Sequence, residues 1–275
     1  MSEAVEASGP RSSERAPGGV PAALLIPAVI GFAFLVLPMA GLLIRTPWSQ
    51  LGTLLTEPDV VLALRLSLIC ASLATLASLL FGIPIAWILA RTTVPGRSVL
   101  RALVTVPLVL PPVVGGVALF LVLGRQGILG GWLYDQFGIA LPFTTAAVVI
   151  AETFVAMPFL IISVEGALRA ADARFEEAAA TLGANGWATF RRVTLPIVAP
   201  GVAAGAVLCW ARALGEFGAT ITFAGNFPGT TQTMPLAVYL ALQHNPESAI
   251  VLSVVLLVVS LATLGLLRER WISRA

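Results

Sequence analysis

Long uncharged apolar segments recur along this chain and constrain its fold more than any other feature. Five of them, each about 19 to 25 residues long, contain no charged residue, and a sixth is interrupted only by Glu152. A helix of this length crosses the roughly 30 Å apolar core of a bilayer at 1.5 Å per residue. Because backbone groups find no water there, each segment must be helical. The segments are 24–44, 66–90, 102–124, 144–164, 193–211 and 248–267.

The composition agrees with an all-α integral membrane protein and excludes a standard ATP-binding P-loop in this chain. Charged residues make up 11% of it, against about 25% in soluble domains. All 16 basic residues are Arg, and a P-loop requires a Lys at the β- and γ-phosphates. ATP-driven work would therefore need a partner chain. Two Cys in apolar segments and the single His244 give no metal-ligand spacing, so we expect no cofactor and no metal in this chain.

The arginines sort the segments by membrane side. Twelve of the 16 fall before the first segment, after the last, or in the loops after the second and fourth. Since Lys and Arg accumulate in cytoplasmic loops, we predict cytoplasmic N and C termini and six crossings. This sorting also argues against nucleic-acid binding. Residues 1–20 lack apolar periodicity and are predicted to form a disordered cytoplasmic tail, followed by a transmembrane domain over 21–275 with its core at about 60–268.

The third segment contains a dense run of helix-bending residues. Pro107, Pro111 and Pro112 are followed by Gly115 and Gly116. A Pro inside a helix removes an N–H and frees a carbonyl, so we predict that this segment breaks or bends. A bent helix suits a transport pathway, and a packing kink without function is the alternative.

The loop 166–196 between the fourth and fifth segments is polar but patterned. Glu165 and Arg169, just before and inside it, are spaced for an i,i+4 ion pair. A stripe at helical spacing predicts a first short helix, ended by a left-handed Gly183. Asn185 can then cap a second short helix. The stripe consists of Phe175, Ala178, Ala179 and Leu182.

The second short helix carries two aromatic side chains. Trp187 and Phe190 lie on adjacent turns, and Pro196 is predicted to end this helix and open the fifth segment. Large apolar side chains on an exposed tip are costly unless a partner buries them. We therefore predict that this projection seats in a groove of another protein.

The same loop resembles the E-A-A-x3-G-x9-I-x-L-P signature of ABC importer permeases. The matching residues are Glu177-Ala178-Ala179, Gly183 and Leu195-Pro196, with Val193 where Ile is usual. The resemblance implies a type I importer permease fold, in which a short helix seats in a cleft of a cytoplasmic ATPase and transmits its closure. The implied coupling residues are Glu177, Ala178, Ala179, Gly183, Trp187, Phe190 and Pro196.

Opposite charges are predicted on one helix face near the outer end of the fifth segment. Arg212 and Glu216 are four residues apart, and charges inside a membrane usually mark a function. A self-neutralising ion pair is the alternative. Thr220 and Thr222 follow with hydroxyl groups that suit an oxyanion, or serve as ordinary turn residues. Glu152 would repel an anion, and we interpret it as structural. The candidates for a pathway or gate are Arg212, Glu216, Thr220, Thr222, Pro111 and Pro112.

The segment 212–220, R-A-L-G-E-F-G-A-T, resembles permeases of the molybdate type, as do 107–116, 124–138 and 220–235. This implies a subunit of an ATP-driven molybdate importer in the cell membrane. Its implied partners are a cytoplasmic ATPase dimer, an external molybdate-binding protein and a second copy of the permease.

Two alternatives remain open at this point. Sulfate permeases share much of the segment 212–220, and a sulfate or thiosulfate system would pair this chain with a second, related permease. A secondary transporter driven by an ion gradient is the alternative from another class. It is disfavoured because such proteins often contain inverted repeats with paired broken helices, a pattern that we do not find here.

Overall fold

The computed structural model describes residues 22–272, and this part of the chain is helical without any strand. It divides into two units, 1–45 and 46–275. In the first unit, α1 spans Ala22–Ile44 and contains Pro27 and Pro38. The predicted tail at 1–20 lies outside the described residues.

The second unit holds the remaining elements. Two of its turns are not α-helical, a 3-10 turn at Trp48–Gln50 and a π turn at Phe190–Thr194. The α-helices are α2 (Leu51–Leu55), α3 (Pro58–Arg91), α4 (Arg97–Val109), α5 (Pro112–Leu123), α6 (Ile128–Phe137), α7 (Thr145–Ala170), α8 (Arg174–Thr181), α9 (Gly186–Thr189), α10 (Leu195–Leu214), α11 (Gly218–Phe223), α12 (Met234–His244) and α13 (Pro246–Ile272).

Five helices are long and apolar enough to cross a membrane, and the pair α4 and α5 makes a sixth span if it is counted as one. This agrees with the six predicted segments. α9, the π turn and α10 together form one of the five, Gly186–Leu214. α3 is longer than its apolar segment, because Pro58 starts it eight residues before the uncharged stretch and Asp59 lies in its first turn.

The predicted break in the third segment is confirmed. The chain bends by 116° between α4 and α5. The two residues at the bend, Leu110 and Pro111, have extended backbones with ψ near 130°. A residue that precedes Pro is sterically disfavoured in the helical region, which explains both positions. Pro112 then occupies the first turn of α5, where its missing N–H costs nothing.

The centre of the second unit is a bundle of α3, α7 and α10, with α7 packed against both of the others. Small residues let these helices approach closely. The Ser163 hydroxyl on α7 donates to the Gly201 carbonyl on α10 at 3.0 Å, and a side chain at Gly201 would overlap the Cβ of Ala167. Such small-residue crossings are the usual basis of helix association in lipid. The bundle positions two groups of predicted residues, one at each end of α10.

Candidate functional site

The first group lies on α8 and α9, which form a helical hairpin with local causes. The carboxylate of Asp172 accepts from the Arg174 N–H at 2.9 Å, at the start of α8. α8 is followed at its C-terminal end by a left-handed Gly183, whose φ is 84°, and the Ala184 N–H closes the cap on the Ala179 carbonyl at 3.0 Å. The Asn185 side chain accepts from the Ala188 N–H at 2.8 Å and caps α9. Both caps predicted from the sequence are therefore present.

The outward side of this hairpin is apolar. The exposed fraction is 58% for Phe175, 89% for Leu182 and 70% for Trp187. Glu177 and Ala178 are also exposed, whereas Ala179 is half-buried. We call the exposed residues Phe175, Glu177, Ala178, Leu182 and Trp187 the α8–α9 surface.

The position of Phe190 differs from the predicted exposed tip. Its ring is half-buried and packs edge-on against Trp87 of α3, with the centroids 5.3 Å apart. It also stacks on Trp187 at 5.7 Å, so that only Trp187 faces outward. Trp87 is 103 positions away along the chain, and no local pattern could indicate this contact.

The prediction that Pro196 ends the second short helix is wrong. The chain stays helical from Gly186 to Leu214. In the π turn the Leu195 N–H donates to the Phe190 carbonyl, five residues back. This wider turn takes the chain past a residue that has no N–H to donate, and the helix continues as α10.

Two ion-pair clusters lie beneath the hairpin. Glu176 accepts from Arg91 of α3, with Arg91 Nη2 at 3.1 Å, and from the Thr194 hydroxyl at 3.1 Å. Neither Arg91 nor Glu176 was predicted as a site residue, because the i,i+4 rule finds only pairs within one helix.

The second cluster includes the predicted pair. Arg169 approaches Glu165 at 2.8 Å, as the i,i+4 spacing indicated. The same carboxylate oxygen also pairs with Arg101 of α4. Glu165 therefore joins α4 to α7, although the sequence indicated only its contact within α7.

The second group lies where α10 ends. The sequence predicted Arg212 and Glu216 on one continuous helix, but α10 stops at Leu214 and α11 begins at Gly218. Glu216 lies in the break between them and is 1% exposed. Arg212 Nη2 still reaches it at 2.5 Å. The other carboxylate oxygen accepts from the Ala219 N–H at 2.8 Å, so Glu216 also caps the start of α11.

α11 packs tightly against α5 at the predicted bend. A side chain at Gly116 would overlap the Thr222 hydroxyl and lie 2.8 Å from the Ala219 carbonyl. A Cβ at Gly218 would lie 2.9 Å from the Cβ of Pro112. The Thr222 hydroxyl donates to the Gly218 carbonyl at 2.8 Å. The structure thus brings Pro112 and Thr222, predicted from separate segments, to one crossing.

Other predicted residues near this crossing differ in their surroundings. Thr220 is fully buried, and its hydroxyl has no hydrogen-bond partner among the residues that the structure describes. Pro111 is exposed and caps α5. Glu152 on α7 is 1% exposed, and one of its carboxylate oxygens has no hydrogen-bond partner within 22–272. Within the described part of the chain, no three His, Cys, Asp or Glu residues are grouped to hold a metal ion.

Comparisons with known proteins place the chain among transport subunits. Residues 82–275 match the family described as binding-protein-dependent transport system inner membrane component. The molybdenum transport system permease protein ModB of Mycobacterium tuberculosis is 47% identical over 252 residues, covering 90% of this chain and 94% of the relative. The protein of the same name in Escherichia coli K12 is 43% identical, covering 80% of this chain and 96% of that relative.

More distant matches share the architecture. The sulfate transport system permease protein CysT of E. coli K12 is 37% identical, covering 81% of this chain and 82% of the relative. A bacterial alginate ABC transporter, solved in complex with a periplasmic protein, has a TM-score of 0.74 at 20% identity. The match covers 92% of this chain and 94% of the matched transporter chain. It supports the fold alone. The chain therefore belongs to the binding-protein-dependent inner membrane transport components: it is a multi-pass membrane protein and a transport subunit, not an enzyme.

Proposed function

We propose that this chain is the permease subunit of an ATP-driven importer that carries molybdate across the cell membrane. The observation that carries the proposal is the exposed α8–α9 surface within a loop that matches the E-A-A signature. Three large apolar side chains, Phe175, Leu182 and Trp187, are each more than half exposed there. A surface of this kind is stable when a partner covers it.

The partner of this surface is a cytoplasmic ATPase. The chain contains no Lys and so no P-loop of its own, which requires that ATP be hydrolysed by another subunit. The loops rich in Arg, including the one that carries α8 and α9, then face the cytoplasm together with both termini. One bundle forms half of a pathway, so two copies of the permease assemble with two ATPase subunits and one external binding protein.

The cargo is assigned from the relatives and from the charges at the end of α10. Permeases named for molybdenum are 43% and 47% identical to this chain, against 37% for a sulfate permease. Arg212 is paired with Glu216 and the Thr222 hydroxyl donates to the Gly218 carbonyl, so Arg212 attracts an anion only when it separates from Glu216. Sulfate is the second candidate, because its permease shares the fold and much of the segment 212–220.

The ATPase interface is tested by Trp187→Asp. A carboxylate at an exposed ring that inserts into a partner should remove the co-purifying ATPase, while the permease still inserts and keeps its melting temperature. Trp132→Asp is the matched control, because Trp132 on α6 is 57% exposed but lies outside the loop. If Trp187→Asp retains the ATPase and transports at the wild-type rate, the assignment of the α8–α9 surface as the ATPase interface is wrong.

The cargo is tested with the complete transporter in vesicles, loaded with ATP and supplied with its binding protein. We expect uptake of molybdate that an equal concentration of sulfate does not inhibit, and a thermal shift of the binding protein with molybdate only. Inhibition by sulfate with a matching thermal shift would assign the sulfate class. Concentrative uptake driven by an ion gradient in vesicles without the ATPase would refute the importer mechanism itself.

A further inference from the structure

We propose that Arg91 and Glu176 are positioning residues that connect the ATPase-binding surface to the transmembrane bundle. Glu176 lies on α8, whose outward side belongs to the α8–α9 surface, and Arg91 is the last residue of α3. Movement of α8 is transmitted through this pair to α3. The inference rests on the proposed function, since it assumes that an ATPase binds α8 and α9.

The contacts that Glu176 accepts converge on one oxygen of its carboxylate. Arg91 donates to Glu176 Oε1 from Nε at 3.2 Å, and Arg91 Nη2 lies 3.1 Å from the same oxygen. The hydroxyl of Thr194 donates to that oxygen as well, at 3.1 Å. Arg91 Nη2 also donates to the Ala171 carbonyl at 3.1 Å, just before α8 begins. Guanidinium–carboxylate bonds of this kind are both directional and stronger than neutral ones.

These contacts lie in a partly dry environment. The side chain of Arg91 is 15% exposed and that of Glu176 is 18% exposed, whereas the next residue, Glu177, faces solvent. Salt screens a buried pair much less than an exposed one. Loss of either partner leaves the other charge buried without compensation, so the two side chains favour staying together as α8 moves.

The pair joins three elements that have different partners. α3 packs along α7 and α10 in the bundle. Thr194 is 1% exposed and lies in the π turn that leads into α10. Phe175 on α8 and Leu182 just after it are exposed, so these large apolar side chains do not attach α8 to the bundle. One carboxylate thus ties the short helix to both α3 and the turn before α10.

Helices bend at π turns, and such turns are frequent at functional sites. With Thr194 bonded to Glu176, displacement of α8 pulls on this turn and on the end of α3 at the same time. The link therefore converts movement of a surface helix into movement of two membrane helices. Removal of the link should leave ATPase binding intact but separate hydrolysis from transport.

The experiment uses the complete transporter with its ATPase and binding protein in vesicles. Three quantities are measured for Glu176→Gln, Arg91→Gln and the double variant: ATPase retained in the purified complex, ATP hydrolysed, and anion taken up. We expect full retention and a fall in uptake per ATP of roughly two- to thirtyfold, the range seen for residues in coupling networks. The double variant should be no worse than either single variant, because all three remove the same link.

Arg65→Gln is the matched control, since Arg65 is an exposed arginine near the other end of α3, and it should transport as the wild type does. Wild-type uptake per ATP in both single variants, or effects that multiply in the double variant, would overturn the inference. Loss of the ATPase from the complex would also overturn it, because the pair would then serve assembly. None of these results affects the proposed function, which depends on Trp187→Asp.

If the charge variants do not fold, Thr194→Val decides the question. It keeps the shape of the side chain and removes only the hydroxyl that donates to Glu176. Reduced uptake per ATP with a normal melting temperature supports the link, and an unchanged ratio rejects it.

Discussion

The close approach of α7 and α10 leads to a sharp prediction for Gly201→Ala. The added methyl group would overlap the Cβ of Ala167, which has no rotamer that could avoid it. One turn further along α10, a Cβ at Gly205 would lie 2.9 Å from the Cβ of Ser163, where ordinary contacts begin at 3.4 Å. Relief of the overlap at Gly201 therefore requires α10 to move away from α7 by about 1 Å, which already forfeits up to half of each local dispersion contact.

The cost can be estimated from two contributions. Overpacking of this kind costs about 1–3 kcal/mol. The bond from the Ser163 hydroxyl to the Gly201 carbonyl, 3.0 Å long, is stretched as the helices separate, and such bonds in membrane bundles contribute about 0.6 kcal/mol. A total of about 1.6–3.6 kcal/mol corresponds to a melting temperature lower by about 3–14 °C for a chain of this size.

The assay is thermal unfolding of the solubilised permease, followed by size-exclusion chromatography. Gly201→Ala combined with Ala167→Gly should return the melting temperature close to the wild type. The exchange moves one Gly from α10 to α7, so the cost of about 0.5–1 kcal/mol for Gly in a helix cancels. Gly166→Ala is the control, because a Cβ there meets nothing within 4 Å. Wild-type melting of Gly201→Ala, or no rescue by the exchange, would refute the packing argument.

Four further variants test the two functional regions. In Gly116→Val the new side chain would overlap the Thr222 hydroxyl, so we expect anion uptake into vesicles to be lost while the ATPase stays bound. Normal uptake would contradict the tight α5–α11 crossing. Gly183→Val should lower the free energy of unfolding by about 1–2 kcal/mol, because φ is 84° there, and should lower the stimulated ATPase rate. Asn tolerates this conformation, so Gly183→Asn should retain most of that rate. Equal rates for the two variants would contradict the cap. Asn185→Ala removes the acceptor for the Ala188 N–H and should cost about 1 kcal/mol in thermal unfolding, while an unchanged midpoint would show that the cap is dispensable.

Features set by neighbouring residues were predictable. The membrane spans follow from the length of apolar runs, and the bend between α4 and α5 follows from Pro111 and Pro112. The caps at Gly183 and Asn185 also depend only on backbone geometry within a few residues. In each case the physical cause acts over one or two helical turns, so the sequence alone contains it.

The features that were missed depend on contacts between distant segments. Arg91 and Glu176 are 85 residues apart, and nothing local distinguishes Glu176 from its exposed neighbour Glu177. Phe190 was assigned to the exposed tip because the approach of Trp87 cannot be read from a helical wheel. The π turn before Pro196 and the break before Glu216 were missed for another reason. In both places the regular α-helix is interrupted, and the interruption depends on packing against the surrounding helices.

The break between α10 and α11 also changes the electrostatic argument for an anion pathway. Arg212 lies close to Glu216, so the pair has little net charge as it stands, and an oxyanion would compete with the carboxylate for the guanidinium. Glu216 is held in place by the Ala219 N–H at the start of α11. Movement of α11 would therefore carry Glu216 away from Arg212, and α11 is packed against α5 with no space for a side chain at Gly116. The field at Arg212 and the packing at the α5–α11 crossing thus change together, which is why a variant at Gly116, which carries no charge itself, is expected to stop anion uptake.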